Sequence, residues 1–172
     1  MAEVAQTNDS ATSASFWWVN HKQTSRLEIE GGYLWSPVRE RSGNRSQFYD
    51  NLRRARPGEF ILSYANAQVR HVGCVVDFAF DSVKPTNFGM KGAHWDEFGW
   101  LLPLEWKTLP STVRPADHLE KIVEHLPEKY SPINANTGFG NQKAYLAEIS
   151  QELFLQIVAL AGESAIPGGR FW

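Results

Sequence analysis

Residues 57–77 read PGEFILSYANAQVRHVGCVVD. Pro57-Gly58 turns the chain, and Phe60 to Tyr64 is a compact apolar and aromatic run. Ala65-Asn66-Ala67-Gln68 is a break of hairpin size, after which Val69 to Phe80 is again rich in β-branched residues. This pattern predicts two antiparallel strands joined by a tight turn. Upstream, Phe16 to Val19 is a short strand, residues 20–31 are polar, and Tyr33-Leu34-Trp35 is a second extended piece stopped by Ser36-Pro37. Residues 38–46 (VRERSGNRS) form a basic loop, and Ser46 to Arg56 places Phe48, Tyr49, Leu52 and Ala55 at helical spacing.

Downstream, Asp81 to Gly99 reads as a long loop, of the kind that is functional or mobile in a compact domain. Leu101 to Trp106 is a strand, and Pro115 to Leu126 an amphipathic helix with Leu119, Ile122, Val123 and Leu126 on one face. An irregular stretch covers residues 127–145. Ser150 is placed to cap a last helix with Leu153, Phe154, Ile157, Val158 and Leu160 inward and Gly162 just past its end. Phe48, Phe78, Phe80 and Phe154 sit on periodic faces and read as core. The expected fold is α+β, a curved or barrel-like sheet flanked by helices. Residues 1–15 hold small, polar and acidic residues and read as a disordered tail; residues 162–172 are rich in Gly and Pro and read as a linker. The folded unit is expected over residues 16–161.

The chain has 172 residues and a net charge of −2, from 17 Lys plus Arg against 19 Asp plus Glu. A nucleic-acid contact must therefore come from a local basic patch. One cysteine, Cys74, excludes an internal disulfide and a Cys-rich zinc module, and fits a reducing compartment. No apolar run reaches membrane-spanning length and no signal-peptide layout opens the chain, so no membrane role is expected. HExxH, GxSxG and GK[ST] loops are absent. His118 and His125 lie seven apart, where a metal pair on a helix wants four, so a solvated face is the better reading. Cys74 reads as a buried, inert thiol. No catalytic residue, metal ligand or cofactor is expected in this chain.

The aromatic share is 13%, with seven Trp. Trp35, Trp95 and Trp100 lie at strand edges or in a Gly-rich loop. Converging Trp faces can sandwich a flat base and hold a methyl group; loop Trp tucked under the domain is the competing reading. Ser36, Asn66, Asn20, His21 and Lys22 are polar companions able to read a base edge, with plain turn chemistry the alternative for Asn66. Arg39, Arg41, Arg45, Arg53, Arg54 and Arg56 face only Glu40 and Asp50 between residues 38 and 56, a local excess suited to phosphates or simply a charged surface.

FWWVNHK, YLWSP, PGEFILSYANAQVRHVGCVVD, GAHWDEFGWLLPLEW and KYSPINANTGFGNQKAYLAEIS resemble, in that order, segments of the EVE and YTH group of PUA-like domains. The resemblance covers about 130 residues and implies a mostly antiparallel sheet flanked by helices. It places cage roles on Trp35, Trp95 and Trp100 and the pocket-facing turn Asn on Asn66; Ser36, Tyr64, Trp17, Asn20 and His21 are the further expected pocket residues. Lys22, Arg39, Arg41, Arg45, Arg53 and Arg54 are the expected backbone contacts. A finer similarity is to the N-terminal domains of bacterial HNH endonucleases that cut modified DNA, through FWWVNHKQT, GGYLWSP and LPEKYSPI. It implies a reader of 5-methylcytosine or 5-hydroxymethylcytosine in double-stranded DNA, from a bacterial cytoplasmic restriction enzyme. A nuclease domain with its divalent metal would follow the linker and leaves room for a homodimer. An N6-methyladenine reader of RNA or DNA, and a small-ligand module of the same fold, are the competing readings.

Overall fold

The computed structural model describes residues 13–93 and 95–163. Most of the tail and linker expected from the sequence, residues 1–12 and 164–172, lies outside the described residues. The elements run β1 (Phe16–Asn20), α1 (Ser25–Gly31), β2 (Tyr33–Pro37), α2 (Gln47–Arg54), β3 (Phe60–Ala65), β4 (Gln68–Val75), β5 (Phe80–Val83), β6 (Phe98–Val113), α3 (Leu119–Ile122), β7 (Leu146–Ile149) and α4 (Gln151–Leu160). The sheet order is β2-β6-β4-β3-β1-β7, with β5 also on β6. Only the β1–β3 pairing is parallel among the described strands. The expected α+β fold with a mostly antiparallel sheet is borne out.

Strand alternation puts neighbouring side chains on opposite faces, and the two halves of the core follow from it. Trp18, Leu62, Tyr64 and Val72 pack with Ile122, Phe154 and Ile157 under α3 and α4. Trp17, Val19, Ile61 and Val75 pack with Leu34, Leu52, Trp100, Leu102 and Leu104 under α2. The long β6 serves both regions: residues 99–103 pair with β2, and from Leu104 onward the strand pairs with β4.

The hairpin at residues 60–75 forms as expected, with Asn66 and Ala67 at φ 54° and 61°, the paired positive φ values of a type I′ turn. Ser150 caps α4, its Oγ accepting the Leu153 N–H at 3.1 Å. Several expectations are corrected. Residues 25–31 of the polar stretch form α1; Leu27 and Ile29 are two apart, so no helical period announces it. Residues 81–99 are not one loop but carry most of β5, a 3₁₀ turn at Thr86–Phe88 and the start of β6. The 115–126 helix is broken into 3₁₀, α and 3₁₀ pieces. Phe78 and Phe80 are more than half exposed: Phe78 lies in the link between β4 and β5, and Phe80 opens β5, an edge strand and not the continuation of β4.

Candidate nucleic-acid interface

The β2–β6 ladder decides which of the expected cage residues meet. Trp35 lies opposite Leu101, and Ser36 opposite Trp100. Facing residues of an antiparallel pair share a face and successive ones alternate. Trp35 and Trp100 therefore point to opposite faces, and the expected three-Trp cage is corrected to two separate sites.

On the first face, Trp35 meets Phe88 edge-on at 5.9 Å between ring centroids and Trp95 at 6.3 Å. Phe88 meets Trp95 edge-on at 6.1 Å, and Tyr33 stacks on Phe88 at 6.5 Å. These rings form an aromatic box. Two glycines make room for it: a Cβ on Gly99 would lie 2.6 Å from Trp35 Cζ2, and one on Gly92 2.1 Å from Trp95 Cε3. The Trp35 indole donates to Ser82 O at 3.3 Å, and Lys84 Nζ ties the loop by donating to Gly92 O at 3.1 Å. Trp35 and Phe88 are buried, whereas Trp95 is half-buried on the loop. A base between two indoles needs about 7 Å, twice a van der Waals separation of about 3.5 Å. Here the three rings pack against one another and Trp35 is fully covered, so the loop carrying Trp95 must swing away to admit one.

On the second face, Trp100 is buried beneath two guanidiniums, Arg45 at 5.6 Å and Arg53 at 5.5 Å from the ring. Arg45 is also held by Asp50 at 2.8 Å. Arg53 makes no hydrogen bond or ion pair to another described residue and is free to take a phosphate. The Ser36 hydroxyl, on the same face, is buried without a partner among the described residues.

Behind Trp35 stands a buried carboxylate. Glu28 accepts the Trp35 main-chain N–H at 2.9 Å, and the Thr24 and Tyr145 hydroxyls donate to it. Tyr145 also donates to Trp35 O at 3.0 Å. The edge of β2 that no described strand covers is thus satisfied by side chains at Trp35. His21 sits between Glu28 at 3.2 Å and Ser63 Oγ at 2.7 Å, buried and stacked on Trp106. Burial first, then the Glu28 charge, pushes the Tyr145 hydroxyl well above its usual pKa, so it remains a donor.

The remaining expected pocket residues do not join the box. Trp17 is core, donating to Glu59 at 3.0 Å. Asn20 clamps the irregular 127–145 stretch, donating to Pro132 O at 2.9 Å and Ala144 O at 2.8 Å. Tyr64 packs on Trp18, and its hydroxyl accepts from Gly140 N at 3.2 Å. His21 supports Glu28. Asn66 is an exposed turn residue lining a separate cavity of about 270 Å³ with Ser25, Arg70 and His71. Arg39 bonds Gly43 O, and Arg54 pairs with Glu148, while Lys22 and Arg41 are exposed. Phe88 and Tyr33 went unnoticed in the sequence; Tyr33 sits two residues before Trp35, on the same strand face, which was the available signal.

No family model matches the chain, and no curated protein matches it. Solved structures do. The YTH domain of Zygosaccharomyces rouxii MRB1 in complex with N6-methyladenosine RNA matches at TM-score 0.56 and 12% identity, covering 87% of this chain and 88% of that one. Human THYN1 in complex with 5-methylcytosine-containing DNA matches at 0.56 and 15%, covering 88% and 99%. Agrobacterium tumefaciens protein Atu2648 matches at 0.52 and 18%, covering 91% and 99%. The chain has the fold of these domains.

Proposed function

We propose that this domain reads modified DNA, binding 5-methylcytosine or 5-hydroxymethylcytosine by drawing the base out of the duplex into the Trp35–Phe88–Trp95 box. The box carries the reading: three large rings gathered about one spot, with two Arg on the other face of the same ladder. Extruding a base costs a few kcal/mol, and stacking against aromatic side chains returns roughly 1–3 kcal/mol per base. Burying the C5 methyl adds about 1 kcal/mol. Arg45 and Arg53 supply the sequence-independent phosphate term.

Two solved structures of this fold, THYN1 with 5-methylcytosine DNA and the MRB1 YTH domain with N6-methyladenosine RNA, support a modified base as the ligand class. The similarity of FWWVNHKQT and GGYLWSP to modified-DNA endonucleases favours cytosine. In that setting the chain is the specificity domain of a modification-dependent restriction endonuclease, and itself cuts nothing. A competition panel tests the base identity, using duplexes with one cytosine, 5-methylcytosine, 5-hydroxymethylcytosine or N6-methyladenine, and a methyladenine RNA. The expected order puts the modified cytosines first; tightest binding to methyladenine overturns the assignment.

A further inference from the structure

We propose that Phe98 is the wedge that enters the base stack when the box removes a base from it; this role rests on the modified-base reading above. Phe98 opens β6 and is 70% exposed, and its cross-strand partner Val83 is 58% exposed. A scattered exposed apolar residue is ordinary, but two directly opposed at the end of a ladder form an apolar tip. Its position is specific. The next residue, Gly99, lies against the Trp35 indole so closely that a Cβ there would collide with the ring. Two residues along, on the Phe98 face, is Trp100 with Arg45 and Arg53 above it.

Phe98 therefore opens the ladder at the end where its two faces meet: its own side chain lies on the Arg face, and the neighbouring Gly99 backs the Trp35 ring on the other. A duplex laid on Arg45 and Arg53 reaches the box only by sending its base round the end of the ladder, past this tip, and so presents the vacated step to it. That gap is apolar on both sides, bounded by base faces, and a Phe inserted there supports the distorted duplex. Val83 backs the ring from the neighbouring strand.

Phe98→Ala tests this, since removing an exposed ring leaves the core intact. Wild type and variant are titrated with a paired duplex carrying one 5-methylcytosine, the same duplex unmodified, and the 5-methylcytosine single strand. A 2-aminopurine beside the target base reports unstacking. The expected result is tenfold or greater weakening on the modified duplex, with loss of the 2-aminopurine signal, and less than twofold change on the single strand. Equal weakening on both overturns the proposal by making Phe98 a wall of the base site; no change on either overturns it too. Wild-type protein that binds modified and plain duplexes equally overturns the modified-base reading itself, and the wedge with it.

Discussion

The carboxylate of Glu28 accepts the main-chain N–H of Trp35 at 2.9 Å, so the indole of the aromatic box hangs from a strand edge held by a buried side chain. His21, Thr24 and Tyr145 converge on the same carboxylate. The position of Trp35 is thus set by side chains gathered behind its strand.

Replacing Glu28 by Ala strands several buried donors at once. Each hydrogen bond to a charged group is worth roughly 1.5–3 kcal/mol, so the loss should exceed about 3 kcal/mol. Chemical denaturation of the variant measures it; a loss under 1 kcal/mol would show that the network relaxes without cost.

Trp17→Ala should destabilise the fold by about 3–5 kcal/mol, the scale for a buried aromatic. In the fraction still folded, binding should be unchanged. Altered base preference in folded protein would return Trp17 to the ligand site.

The 60–75 hairpin and the Ser150 cap were legible because each is local: a compact apolar run followed by a turn, and a hydroxyl three residues before the N–H it accepts. The box was legible only in part. Trp35 and Trp95 stood out by type, but the separation of Trp100 from them depends on strand register. A slip of one residue reverses every side chain, and nothing in a single strand states its partner's register. Phe88 escaped because a lone Phe in a Gly-rich loop has no period. His21 and Asn20 looked like ligand groups since their partners, Glu28 and Pro132, are set by tertiary folding.

Charge reversal at Arg53 should weaken modified and unmodified duplexes alike and lower the salt slope of binding by about one. Arg45→Glu should act similarly, and also repel Asp50. Affinity measured from low to high salt is the check; an unchanged slope moves the phosphate track elsewhere, with exposed Lys22 and Arg41 the next positions to vary.

His71 gives a pH signature. Burial, then the neighbouring charges of Arg70 and His21, lower its pKa below the ordinary 6.5. Above that value both folded and unfolded chains hold a neutral imidazole. Below it the unfolded chain takes up a proton that the native state resists, so stability falls with pH until the folded pKa is passed, then levels. The wild-type minus His71→Gln difference in unfolding free energy should slope in that window. A flat difference curve contradicts the assignment.

The central claim is tested most directly at Trp95, the half-buried ring of the box. Wild type and Trp95→Ala are titrated, at one salt concentration, with two duplexes that differ by a single C5 methyl on one cytosine. The account predicts a wild-type preference of roughly ten- to a hundredfold, of which methyl burial of about 1 kcal/mol supplies about fivefold and the cost of flipping an unmodified pair and steric fit the rest. It predicts that the variant loses roughly 1–3 kcal/mol on the methylated duplex and little on the plain one. Equal wild-type affinity for the two duplexes, or a folded variant that keeps the full preference, would contradict it.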